Sequence, residues 1–211
     1  MKTLADFSNF KVESKYSKAA DLIAINLKIK QCCKCDVSAP VVKTYGRGSV
    51  DAKYMFIGES PWIKNEWLSL TQFELDSLLR KKYGDKTCFG DLAGSILSQA
   101  LSAAGFNEER DCYITNIVKC SLKNNAKPTK KEIQNCVPFL LSEIRIVKPK
   151  VIFAASAASR MFFGVKIGEK KKYENAEIIG IYHPSALQRS SGYVSSEFLK
   201  ILEIGKKVAN Q

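Results

Sequence analysis

Four short apolar runs, each followed by a loop and then by a stretch of helical period, constrain this chain more than any other feature of its sequence. They are Tyr54-Met55-Phe56-Ile57, Cys112 to Thr115, Val151 to Ala154, and Ile178-Ile179-Gly180-Ile181-Tyr182. Short β-branched and aromatic runs bounded by Gly, Pro and Ser read as buried strands. The intervening segments carry helix punctuation. Ala19, Ala20, Leu22, Ile23, Ile25 and Leu27 lie at near-helical spacing between 14 and 31. Thr71 with Glu74, and Thr129 with Glu132, are capping boxes that open helices by satisfying orphan amides. A helix over 91–104 closes at Gly105, and one running to 147 stops before Pro149. A short helix ends near Gly164, and a last one spans 195–208. This order predicts an α/β fold, with a central four-stranded parallel sheet covered by helices on both faces.

With 211 residues, 45% of them hydrophobic, the chain can bury one sizeable core, and one domain is expected over 1–211. Residues 1–31 form a helical extension in this reading, and 62–86, long for a connection, reads as an insertion or lid. Gly46-Arg47-Gly48-Ser49 reads as a turn. No run approaches the roughly 18 apolar residues of a membrane span, and Met1 to Asp6 lack a signal-peptide core, so an intracellular protein is expected. The 33 Lys and Arg against 21 Asp and Glu leave a charge of +12. Such a surface attracts polyanions, nucleic acid first among them, although a lysine-rich surface also serves solubility alone.

Three of the four strands end on polar side chains of different chemistry. The first delivers Gly58-Glu59-Ser60-Pro61, the second Asn116, and the last the only histidine of the chain, His183, in a His-Pro-Ser turn. Parallel strands release their loops at one rim, where ligands bind in such sheets, so a carboxylate, a carboxamide and an imidazole are expected together at an active site.

Seven cysteines in an unsecreted chain argue for metal chemistry rather than a disulfide scaffold. Cys32 and Cys35 form a Cys-x2-Cys pair, while Cys120 and Cys136 stand on separate segments. Four thiolates converging from three segments suit either zinc or an iron-sulfur cluster, and spacing alone does not choose. Cys33, Cys88 and Cys112 read as bystanders, Cys112 as a core residue of its strand.

Over roughly residues 32 to 189 the chain resembles the iron-sulfur (family 4) uracil-DNA glycosylases of bacteria and archaea. The likeness rests on Cys32 and Cys35, Gly58-Glu59-Ser60-Pro61, Phe89-Gly90-Asp91-Leu92-Ala93-Gly94, the run from Tyr113 to Cys120, Cys136, and the run from His183 to Arg189. The order of these motifs is more specific than any one of them. The resemblance implies a 4Fe-4S cluster on Cys32, Cys35, Cys120 and Cys136 in preference to zinc, and uracil-containing DNA as substrate.

The residue types fit that chemistry. Cleaving an N-glycosidic bond builds cationic character on the sugar and negative charge on the departing base. Glu59 would place the attacking water and face the cation, and His183 would donate to the uracil oxygen. Asn116 offers both a donor and an acceptor to the uracil edge, where cytosine presents the opposite pattern, and Gly58 is a further candidate for substrate binding. Phe89 would stack on the extruded base and Leu187 would fill the gap it leaves. Ser185, Arg189, Lys119, Lys123 and Lys127 are candidates for DNA contact, and Ser156 for a phosphate. The chain departs from the family where Trp62 replaces a glycine, Asn65-Glu66 stand near its acidic position, and the stretch between Glu59 and Phe89 is longer. A relative with altered damaged-base preference fits these departures. Two other classes compete: a noncatalytic nucleic-acid-binding module stapled by metal, which would need the cysteines and lysines but not Glu59, Asn116 or His183, and an iron-sulfur electron carrier. A monomer is expected; a sliding-clamp partner has no residue in its favour.

Overall fold

The four apolar runs form the middle of one sheet. The computed structural model describes residues 15–36, 40–83, 92–187 and 196–210. Its strands are β1 (Arg47–Gly48), β2 (Tyr54–Gly58), β3 (Cys112–Asn116), β4 (Val151–Ala154), β5 (Lys170–Tyr173) and β6 (Ala176–Gly180), in the order β1-β3-β2-β4-β6-β5. The central β3, β2, β4 and β6 are parallel, and every residue of β2, β3 and β4 is buried.

The sheet therefore has six strands rather than the expected four. Both additions are antiparallel edges. β1 is two residues long and lies within the segment read as a turn. β5 is Lys-Lys-Lys-Tyr, with its three lysines exposed. Charged edge strands carry no apolar alternation to announce them, and their charge discourages a further strand from pairing.

Helices α1 (Lys15–Gln31), α2 (Gln72–Tyr83), α3 (Leu92–Ala103), α4 (Glu108–Asp111), α5 (Lys130–Val147), α6 (Ala157–Phe163), α7 (Pro184–Leu187) and α8 (Ser196–Ala209) surround the sheet. Side chains alternate across it, as strand geometry requires. Tyr54, Phe56, Ile114, Phe153 and Ile179 meet α3 and α8 on one face, where Phe56 and Phe153 stack at 4.6 Å. Met55, Ile57, Tyr113, Ile152 and Ile178 meet α5 on the other, with Leu22 of α1 in the same cluster. None of the described helices is long and apolar enough to cross a membrane.

Residues 62–83 build a small core of their own, in which Ile63, Trp67, Leu75 and Leu79 pack with Val42. Gln72 ties it to the preceding chain through two bonds with the Val41 backbone, accepting at 2.8 Å and donating at 2.9 Å. The remainder of the 62–86 stretch lies outside the described residues.

Candidate active site and cysteine pocket

Strand register brings the polar ends to one rim. Gly58 lies opposite Asn116, and Ala154 lies opposite Gly180, three residues before His183. Backbone bonds continue past the strands: Ile117 and Val118 donate to the carbonyls of Gly58 and Glu59, and Ile181 donates to Ala154. Register and alternation put Gly58 and Asn116 on the same face. Asn116 is only 3% exposed, yet its side chain makes no hydrogen bond to another described residue.

Glu59 is half-buried, and one carboxylate oxygen accepts the Ala158 amide of α6 at 3.4 Å. Arg160 stands nearby. Burial lowers the pKa of its guanidinium while the charge of Glu59 raises it, and Nη1 donates to the Ile181 carbonyl at 2.7 Å. One guanidinium thus links the Glu59 neighbourhood to the segment leading into His183.

His183 is oriented by its own turn. The Ser185 amide donates to Nδ1 at 3.2 Å, and the Ser185 hydroxyl lies 2.7 Å from the same nitrogen. An amide aimed at Nδ1 favours the tautomer that carries its proton on Nε2. Ser185, expected at the DNA, is thus engaged with the histidine. Phe89 and Arg189 lie outside the described residues, as do Cys88 and the side chain of Leu187.

Two expected phosphate contacts are corrected. Lys119 is buried, 1% exposed, and its ammonium donates to Glu143 Oε2 and to Thr115 Oγ1, each at 2.6 Å. Thr115 bonds the same carboxylate at 3.0 Å, and the Tyr113 hydroxyl donates to it at 3.4 Å. A lysine inside a protein needs this degree of pairing. Ser156 is buried as the N-cap of α6, where its hydroxyl accepts the Ser159 amide at 3.0 Å. Glu143 and Thr115 went unnoticed in the sequence, although a signal exists. Glu143 interrupts the buried stripe of Cys136, Leu140, Ile144 and Val147 on α5.

The cysteines gather close to Lys119, whose backbone amide reaches Cys136. Cys32, Cys35, Cys120 and Cys136 line one pocket with Lys34, Val118, Leu122, Glu132 and Asn135. Cys32 and Cys35 follow α1, Cys120 follows β3, and Cys136 lies on α5. The Cys120 loop pairs with the chain before β1, where Thr44 donates to Lys119 and Ser121 donates to Val42, each at 2.8 Å. Burial, and after it the neighbouring Cys136, pushes the Cys120 thiol up to about 12. Cys136 is raised by burial, against a bond from the Lys119 amide to its sulfur. Asn135 Nδ2 donates to Cys35 Sγ at 3.3 Å. Amide donors of this kind orient and tune sulfur ligands. Among the described residues no group of three or more His, Cys, Asp or Glu is arranged to hold a metal ion as it stands. The donor set is nonetheless four sulfurs around one cavity, which fits a thiolate-bound cluster or zinc. Cys112 is in the core, as expected, and Cys33 is exposed.

A six-stranded α/β sheet with a carboxylate, a carboxamide and an imidazole on one rim and four thiols beside it can be compared with known families. The family model described as "Uracil DNA glycosylase superfamily" matches residues 45–203, and the chain belongs to that superfamily. Within it, the chain is similar to proteins named Type-4 uracil-DNA glycosylase. The one from Thermotoga maritima is 30% identical over 187 residues, covering 83% of this chain and 87% of the relative. Those from Archaeoglobus fulgidus and Pyrobaculum aerophilum are 30% and 29% identical, covering 85% and 86% of this chain and 92% and 91% of their own.

Proposed function

We propose that this protein is a uracil-DNA glycosylase, which extrudes uracil from DNA and hydrolyses its N-glycosidic bond, leaving an abasic site for repair. The observation that carries this reading is the shared rim of Glu59, Asn116 and His183 in a chain of this superfamily. As the bond from C1′ to N1 of uracil breaks, the electron pair leaves with the base and the sugar becomes cationic. Water then adds to C1′ and passes its proton to the Glu59 carboxylate, from which it returns to solvent. Glu59 holds that water and faces the cation. His183 donates from Nε2 to the uracil oxygen on which charge grows, as oxyanion-hole donors do. The buried carboxamide of Asn116 pairs with the uracil edge, and cytosine there would leave buried polar groups unpaired, at roughly 1–3 kcal/mol each.

Gly58 gives the base room, Phe89 stacks on it, and Leu187 takes its place in the helix. Arg189, Lys123 and Lys127 meet phosphates, and Ser185 acts through His183. Cys32, Cys35, Cys120 and Cys136 hold a 4Fe-4S cluster, whose contribution when bound is to tie α1, the loop after β3 and α5 together. All these residues come from one chain, so a monomer suffices.

The test is an oligonucleotide with a single deoxyuridine, treated with alkali after incubation, beside a matched control lacking it. Strand scission is expected only with uracil present. His183→Ala is expected to lower the rate roughly hundredfold or more while DNA affinity persists. Binding without base release by the wild type would overturn the reading in favour of a noncatalytic module.

A further inference from the structure

Trp62, three positions past Glu59, has no part in the site described above. It is 48% exposed, with one edge of its ring resting on a neighbouring indole. Its ring meets Trp67 edge-on at 6.5 Å and 63°, and Trp67 is buried in the small core around Leu75. The next residue is gripped as well. Ile63 donates its amide to Asn125 Oδ1, and Asn125 Nδ2 donates back to the Ile63 carbonyl, both at 2.8 Å.

Asn125 ends a short 3-10 turn, Lys123–Asn125, in which Asn124 and Asn125 both have positive φ, 54° and 51°. Asparagine enters this left-handed region more readily than other residues that carry a side chain. The paired Ile63–Asn125 bonds couple the Trp62 loop to a loop bearing Lys123 and Lys127, both exposed. Lys64, on the Trp62 side, is partly neutralised by Glu66 at 3.4 Å. An aromatic face and lysines on coupled loops, in a chain of charge +12, form the combination that binds single-stranded nucleic acid.

We propose that Trp62, with Lys123 and Lys127, forms a ledge for the DNA strand, on which the indole stacks against a base adjacent to the uracil and the lysines meet the flanking phosphates. The inference rests on the glycosylase reading only in taking DNA as the substrate. Stacking needs a base with an open face, so the ledge favours single-stranded or locally unpaired DNA over intact duplex.

The chain has two tryptophans, so Trp67→Phe leaves Trp62 as its sole indole. Titrating that variant with a uracil-free single-stranded oligonucleotide is expected to quench its emission in step with binding, followed by anisotropy of the labelled DNA. In the otherwise wild-type chain, Trp62→Ala is expected to weaken single-strand binding roughly tenfold or more, with a smaller effect on duplex. Trp62→Phe should restore most of the loss, and Asn125→Ala, which frees the loop but keeps the indole, should reproduce part of it. Unchanged emission at saturating DNA, or unchanged affinity in a folded Trp62→Ala protein, would overturn the ledge. If Trp62→Ala does not fold, the quench in Trp67→Phe decides alone. Uracil release by the wild type is scored separately: its absence alongside a quench removes the glycosylase reading and leaves the ledge, whereas normal release without a quench does the reverse.

Discussion

At the scale of single residues, the pair Lys119 and Glu143 is the most exacting feature of the chain. Thr115 and Lys119, which flank Asn116, both bond the Glu143 carboxylate, so the segment carrying the proposed base-reading residue is fixed from beneath. Removing the carboxylate alone leaves a buried ammonium with no counter-charge. Glu143→Leu is therefore expected to cost about 3–5 kcal/mol of stability by urea unfolding, and Lys119→Met combined with Glu143→Leu should recover much of that loss. A double variant as unstable as the single one would refute this account. Nothing in the composition distinguishes Lys119 from the chain's other lysines; its burial follows from the pairing of β3 with α5. Glu59, Asn116 and His183, by contrast, were legible because each follows an apolar run, and the end of a run is a local property.

At the scale of elements, the central strands and the helices were readable from periodicity and caps. The Thr129 capping box forms as written, with its hydroxyl accepting the Glu132 amide at 3.2 Å. The edges β1 and β5 were not readable, since one is too short to show a pattern and the other is polar on both sides. Close approach between elements also escapes periodicity. Gly205 brings α8 onto the sheet, where a Cβ would collide with the Phe153 ring. Gly205→Ala is expected to destabilise the fold by roughly 1–3 kcal/mol through overpacking, readable as a lower Tm. The start of β3 carries a pH-dependent contribution. The hydrogen bond from Arg110 holds the Asp111 carboxyl below its ordinary range, aided by the Asn107 amide and opposed by burial. A lowered folded-state pKa stabilises above the unfolded value, and that stability is lost as pH falls through the folded value. Asp111→Asn should thus destabilise the protein at neutral pH, with the difference from wild type vanishing in strong acid; a difference that persists there would refute it.

At the scale of the whole molecule, the cysteine pocket joins segments that are far apart in sequence, α1, the β3 loop and α5. Cys136→Ser is expected to abolish visible absorption from the proposed cluster and to lower the Tm, both measurable on protein purified without oxygen. In protein stripped of the cluster, the buried, protonated Cys120 and Cys136 should alkylate far more slowly at neutral pH than exposed Cys33, as mass spectrometry of the peptides would show. The spacing of the cysteines pointed to four of the seven, and those four line one pocket. The choice of group came from the family resemblance, because zinc and iron-sulfur ask the same of four sulfurs. The turn that orients His183 has a consequence at this scale too. Because the 211 residues contain no other imidazole, the protein carries its own isotopic beacon. Labelled with 15N-histidine, it yields a single pair of ring-nitrogen resonances, free of overlap in a spectrum of the entire chain. The Nδ1 resonance should report the bond from the Ser185 amide, and Ser185→Ala should shift it. The chemistry of the proposed catalytic centre can then be followed nucleus by nucleus, with or without DNA, and with no probe attached.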